Sequence, residues 1–272
     1  MTSNLLDSKL DDILSRVLSN ADGEVIAVNP SAGAIESLVR VATDFDGDLP
    51  SVRLLAEERT LKDVMDDFIV ASNAADLIDA DVLTLRTTAD GGQNSLLVTE
   101  DSVVALVDAG SQVGGLTADD DGFVDAAYDT YDTQWDEADE FHLRTPPITR
   151  VRETLADEIS ADAEADFTTI LDSLETARGD GDGLDEVTIS LLVAAKNEAL
   201  LYDISKWGED VGIASKATFS RTKTKLEDMG LIDTEKVPID VGRPRLRLKL
   251  GDDRLRDAES DELASAATSL LA

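Results

Sequence analysis

Residues 215–249 hold nine cationic side chains, Lys216, Arg221, Lys223, Lys225, Lys236, Arg243, Arg245, Arg247 and Lys249, against five acids, a net charge of +4. The rest of the 272-residue chain carries fifteen cations and 53 acids, a net −38. A basic island kept inside so acidic a body implies a local anionic partner, and double-stranded DNA is the simplest one. Within the island, Ser215-Lys216-Ala217-Thr218-Phe219-Ser220-Arg221 puts small hydrogen-bonding residues and two cations in the first two turns of a helix that Ser215 can cap. Side chains of that size let a helix come close to base edges and phosphates. Ser215, Lys216, Thr218, Ser220, Arg221 and Lys225 are the expected DNA contacts of this helix, and Phe219, Leu226 and Met229 are expected to face the core.

The flanking pattern supplies the scaffold for those groups. A helix over 187–200, a second around 202–208 that stops by Gly212, and a third over 215–229 read as helix, turn and recognition helix. Gly230 provides the stop. Strands over 232–238 and 245–250 then flank Ile239-Asp240-Val241-Gly242-Arg243-Pro244, a hairpin wing from which Arg243 and Arg245 would reach the DNA backbone or minor groove. The competing reading is an adaptor whose winged helix docks a protein, the island merely balancing an acidic face.

The strings Ser-Lys-Ala-Thr-Phe-Ser-Arg, Lys-Leu-Glu-Asp-Met-Gly-Leu-Ile and Gly-Arg-Pro-Arg resemble archaeal winged-helix regulators of the broad TrmB and MarR-like kinds. With its acidic first domain, the whole chain resembles the haloarchaeal TbsP regulators. That resemblance implies DNA binding, control of promoters, and a connection with sugar or central-carbon metabolism. The sequence departs from it at Lys223, where related recognition helices have an aliphatic residue four after the position of Phe219. The stem of Lys223 is expected over the core with its ammonium reaching out, and the helix phase stays open at that point.

Upstream, Thr145-Pro146-Pro147 closes a first domain over residues 1–145. Its periods alternate: a helix with Leu6, Leu10, Ile13, Leu14 and Val17, a strand over 25–28, a helix with Ile35, Leu38 and Val39, and a strand over 52–55. A helix through Leu61, Val64, Met65 and Phe68, a strand over 82–85, strands over 95–98 and 103–108, and a closing helix over 124–135 follow. This order predicts an α/β domain with a mixed, partly parallel sheet whose last two strands pair antiparallel, serving as a sensor or partner-contact module. Between the first strand and its helix, Asn29-Pro30-Ser31-Ala32-Gly33 lies where backbone N–H groups can hold an anion. Asn29, Ser31 and Gly33, with Arg53 in the second strand and Arg59 beyond its end as the nearest counter-charges, are candidate contacts for a metabolite effector, although an ordinary βα turn and two solvated arginines is the plainer reading.

Residues 146–180 predict two linking helices, the second with Phe167, Ile170, Leu171 and Leu174 on one face. That stripe suits either a homodimer interface presenting two recognition helices to a palindromic site or packing against Val187, Leu191 and Val193. Residues 181–272 complete an α+β winged-helix domain with an acidic C-terminal tail.

The remaining composition removes other classes. Regular apolar runs in a chain 42% hydrophobic imply a folded body rather than a solvating tail. Abundant Asp with few Lys suits a halophilic cytoplasm, where molar salt screens self-repulsion. Zero cysteines exclude disulfides and thiolate metal sites, the first residues have no signal-peptide pattern, and no apolar stretch approaches the roughly 20 residues that span a bilayer. Asp119-Asp120-Asp121-Gly122 and Asp180-Gly181-Asp182-Gly183 fail as EF-hand loops. With Gly122 or Gly183 sixth, Thr117 or Arg178 stands first and Tyr128 or Ile189 twelfth. The single His142, in His-Leu-Arg, lacks the His-x-Lys of a phospholipase-D-like centre, and 58 acids make neighbouring carboxylates uninformative. No catalytic residue, metal ligand or cofactor is expected, and the chain reads as a DNA-binding regulator rather than an enzyme.

Overall fold

The run Glu-Val-Ile-Ala-Val, apolar on both faces after its first residue, forms the central strand of a sheet because helices cover it from both sides. The computed structural model describes residues 9–88, 94–110, 112–179, 183–239 and 244–271. It divides into two units, residues 1–66 with 73–143, and residues 67–72 with 144–272.

In the first unit, β1 (Glu24–Val28), β2 (Ser51–Glu57) and β3 (Leu83–Thr88) pair in parallel, with α2 (Ala32–Thr43) and α3 (Glu58–Met65) in the connections. Strands β4 (Ser95–Val98), β5 (Val103–Asp108) and β6 (Val113–Ala118) extend the sheet antiparallel beyond β1, and the short β7 (Asp139–Glu140) closes the other side. The order is β6-β5-β4-β1-β2-β3-β7. Helix α1 (Leu10–Asn20) packs on α2, and α5 (Asp121–Glu137) covers Ile26, Val28, Val98 and Val103 on the opposite face through Val124, Ala127, Tyr128 and Tyr131. The mixed, partly parallel sheet is the one the alternating periods predict. Strand β6 is not among the predicted elements, because Gly114 and Gly115 interrupt its alternation.

The helix expected to run through Phe68 is two helices. Helix α3 ends at Met65, and α4 (Phe68–Asp79) starts anew behind Asp67. The buried Asp67 carboxylate accepts the Ile69 N–H at 2.9 Å and the Ala177 N–H at 3.3 Å, and the Thr176 hydroxyl donates to it. One side chain thus satisfies an orphan donor of α4 and ties residues 67–72 to the second unit.

That unit has one core. Helices α6 (Ile148–Glu158) and α7 (Ala161–Asp172) contribute Val151, Leu155, Phe167, Ile170 and Leu171 to the cluster that also holds Val187, Leu191 and Val193 of α8 (Glu186–Lys196). Phe167, Ile170 and Leu171 are therefore buried within a single chain, and the stripe is not free to make a dimer. The acidic C-terminal stretch is also ordered. After α11 (Asp253–Arg256), α12 (Ser260–Leu271) packs on α7 with Leu263, Ala264 and Ala267 buried, and the Ser260 hydroxyl donates to Asp166.

Candidate nucleic-acid interface

Downstream of α8 come α9 (Leu201–Val211), α10 (Lys216–Asp228) and the antiparallel hairpin β8 (Ile232–Val237) and β9 (Arg245–Leu250), with an isolated bridge between Leu200 and Arg247. This is a winged helix-turn-helix. Helix α9 ends because Gly212 adopts φ +100, a left-handed conformation glycine takes without strain. Three residues on, the Ser215 hydroxyl accepts the Thr218 N–H at 3.2 Å and caps α10. The two helices pack so closely that a Cβ on Gly208 would lie 2.3 Å from the Phe219 ring. The Trp207 indole N–H donates to the Thr154 hydroxyl at 3.0 Å and pins α9 to α6.

Burial fixes the phase of α10. Phe219, Lys223 and Leu226 face the core, and Ala217, Ser220, Arg221, Thr224, Lys225 and Asp228 are exposed, with Thr218 half-buried. Met229, expected inside, is 39% exposed. Lys223 stands 8% exposed, its stem over the core as expected, but its ammonium stays on the protein and donates to Glu227 at 2.8 Å. Glu227 also accepts from the Thr234 hydroxyl of β8 at 2.7 Å. The two bonds hold the Glu227 carboxyl below the usual glutamate range, burial opposing them.

The cations of the island fall into two groups. Lys216 donates to Glu209 of α9 at 2.6 Å, and the same carboxylate accepts the Lys216 backbone N–H at 3.2 Å. The side-chain bond raises the Lys216 pKa and lowers that of Glu209. Arg245 donates to Asp203 at 3.2 Å and stacks on Tyr202 with its guanidinium carbon 4.3 Å from the ring centre. Arg247 pairs with Glu198, and Lys249 with Glu235. Those three alternate along β9 with Leu246, Leu248 and Leu250, so they share the hairpin's outer face, where acids neutralise them. Among the described residues of the island, Arg221, Lys225 and Lys236 have no ion pair, and Arg221 bonds only to the Thr218 hydroxyl at 3.3 Å. Lys236 lies two and four residues beyond Thr234 and Ile232, on the hairpin face that turns toward α10. Arg243 lies outside the described residues.

Lys216 and Arg245, expected among the outward groups, are both engaged internally. Ala217, Thr224, Asp228 and Lys236 are exposed as well and are not among the expected contacts. Stepping four back and three and seven forward from Arg221 finds the first three. The period of two from Ile232 finds the fourth.

Of the four expected effector contacts, Asn29, Ser31 and Gly33 stay together at the β1–α2 turn and Arg53 does not join them. Asn29 takes φ 45 with its Oδ1 buried and unbonded, Ser31 caps α2 by accepting the Ala34 N–H at 3.3 Å, and space is open around Gly33. Arg53 is elsewhere. Its guanidinium donates to Asp132 at 2.7 Å and to Glu24, and its carbon lies 5.5 Å from the Trp135 ring centre. Glu24 and Asn29 stand at opposite ends of β1, about 16 Å apart at about 3.3 Å per residue. Arg53 therefore cannot serve as the counter-charge at the turn. Burial works against the charge of Arg53, but Asp132 and Glu24 more than offset it and raise its pKa. Tyr128, partly buried and donating to Glu24 at 2.8 Å, is held above the usual tyrosine range.

Among the described residues no group of three or more His, Asp or Glu is placed to hold a metal ion, and no helix is long and apolar enough to cross a membrane. Among curated proteins, none matches the chain. The solved structure of TrmBL2, an archaeal chromatin protein described as showing a novel mode of DNA binding, is similar at 13% identity with a TM-score of 0.37. The likeness spans 51% of this chain and about half of that one, 53%. Two family models cover nearly the whole length: residues 2–146 match the N-terminal domain of TbsP-like transcriptional regulators, and residues 147–268 match their C-terminal helix-turn-helix domain. The winged helix agrees with these two matches, which meet between Pro146 and Pro147 and together span residues 2–268: the chain belongs to the TbsP-like transcriptional regulators, a family of DNA-binding proteins and not of enzymes.

Proposed function

We propose that this regulator binds promoter DNA sequence-specifically as a homodimer, with Arg221 and its neighbours on α10 reading the major groove and Lys225 and Lys236 holding phosphates. The observation that carries the reading is the unpaired state of Arg221 and Lys225 on the outer face of α10, in a chain with 58 acids available to neutralise them. Ala217, Thr218, Ser220 and Thr224 around Arg221 are short enough for close approach to base edges. Lys216 and Arg245 act instead as positioning residues, the first joining α9 to α10 and the second joining β9 to the start of α9.

The genes controlled are those of sugar or central-carbon metabolism, an extension of the family resemblance, and the setting is the cytoplasm of a halophile, which the acid-rich composition favours. The α/β unit serves as sensor or partner-contact domain. The N-terminus of α2, with Asn29, Ser31 and Gly33, is its candidate anion-binding turn, without Arg53.

Binding of the purified protein to promoter fragments and to random DNA of equal length, measured at several salt concentrations, tests the first part. Preference for a promoter fragment is the expected result, and equal affinity for both would sink sequence specificity. A failure to bind DNA at all would favour the protein-docking adaptor. Chromatin immunoprecipitation under two carbon sources tests the gene assignment, and occupancy that does not change with carbon source would remove it.

A further inference from the structure

A homodimer needs a surface on which two bodies of net charge −34 can meet, and the helical stripe over 167–174 is already used inside one chain. Residues 109–118 contain no charged side chain, in a chain where acids alone make up 58 of 272 residues. This stretch ends in β6, the edge of the seven-stranded sheet, and among the described residues no strand pairs with its outer side. Edge strands are ordinarily protected from pairing by charge, proline or a bulge. Strand β6, Val-Gly-Gly-Leu-Thr-Ala, has no charge and no proline, and its register against β5 runs unbroken from Val113 opposite Asp108 to Ala118 opposite Val103.

The sheet face beside it is bare. Ala105 stands opposite Leu116 and Val107 opposite Gly114, so these residues share the face that α5 covers further in, over Val98 and Val103. At the outer strands that cover is gone, and Leu116 is 46% and Val107 44% exposed.

The missing charge identifies the occupant. A cationic partner would be drawn to the carboxylates that dominate the rest of the surface, whereas an equally acidic partner must approach where carboxylates are absent. A second copy of this chain is that partner. We infer that β6 pairs antiparallel with β6 of a second copy across a two-fold axis, continuing the sheet from one subunit into the next and covering Val107 and Leu116. The inference rests on the homodimer reading above and names its interface.

The chain has no native cysteine, so single-cysteine variants report the contact directly. Antiparallel partners have Cα atoms about 4.5–5.5 Å apart, within reach of a disulfide. Sedimentation equilibrium of the full chain in molar potassium chloride is expected to give the mass of two chains. Oxidation of the set Gly115→Cys, Leu116→Cys and Thr117→Cys is expected to yield a covalent dimer, with Asp63→Cys on α3 remaining uncrosslinked. Leu116→Asp, with unchanged circular dichroism, is expected to raise the dimer dissociation constant at least tenfold. A wild-type chain that sediments as a monomer at 100-micromolar concentration would overturn the dimer reading and the interface together. A wild-type dimer with no crosslink at any of the three positions would overturn the interface and leave the dimer standing. If Leu116→Asp disturbs the fold, the cysteine set alone decides.

Discussion

Arg53 in the α/β unit and Arg221 on α10 carry the same guanidinium into opposite surroundings. Arg53 is closed in by Glu24, Asp132, Tyr128 and Trp135, while Arg221 has one hydroxyl for a partner. In a chain this acidic a carboxylate is nearly always near, so the satisfied arginine is the ordinary case. An unsatisfied one signals that its partner comes from outside. The same contrast repeats within the winged helix, where Arg245, Arg247 and Lys249 are neutralised and Lys236 on the other hairpin face is not. Positive residues counted in sequence therefore overstate the charge available to DNA.

Removing each arginine separates the two roles most sharply. Arg53→Ala leaves the partly buried Glu24 and Asp132 without their cation, and should destabilise the first unit by about 2–3 kcal/mol, less than a fully buried pair because Asp132 is half in solvent. Chemical denaturation reads this, with DNA affinity unchanged once the variant is folded. Arg221→Ala should do the reverse, shifting stability by less than about 0.5 kcal/mol while weakening specific binding by roughly 1–3 kcal/mol. If Arg221→Ala unfolds the chain, or Arg53→Ala abolishes DNA binding without unfolding it, the contrast is broken.

Smaller effects sharpen it. Lys236→Ala should weaken binding to all sequences alike and flatten the plot of log K against log salt by about 0.9, whereas Lys249→Ala, paired with Glu235, should leave the slope as it is. The smallest effect is in acid. Because Glu227 has a lowered pKa in the folded chain, the unfolded chain takes up its proton first as the pH falls. Its contribution is complete above the usual glutamate range and is lost as the pH drops through the lowered value. Glu227→Gln should therefore flatten the fall in melting temperature below about pH 4.5, and an unaltered slope would show that the Lys223 link adds nothing to the fold.

The sequence was readable wherever one signal governed a segment. The period of two in β9 and the Gly212 and Ser215 signals around the turn placed the winged helix within a few residues. Strand β6 escaped because Gly114-Gly115 removes the side chains that alternation needs, and α4 escaped because its boundary depends on Asp67 bonding to Thr176 and Ala177, more than a hundred residues away. The outward face of α10 was partly legible, since Arg221 and Lys225 emerge where expected. Which cations are free was not legible. Glu209 becomes a partner of Lys216 only when α9 and α10 pack together, and Asp203 and Glu198 become partners of Arg245 and Arg247 only when β9 folds against α9 and the residues before it.

The chain Lys223, Glu227, Thr234 joins the third helix to the hairpin through their shared inner side. Ala217, Arg221, Thr224 and Asp228 on the outer side form no bond to that joint. The exposed face proposed to meet DNA and the bonds that hold the architecture therefore lie in separate places. On the reading proposed above, substitutions on one exposed stripe of α10 change the surface offered to DNA while the chassis that presents it stays fixed.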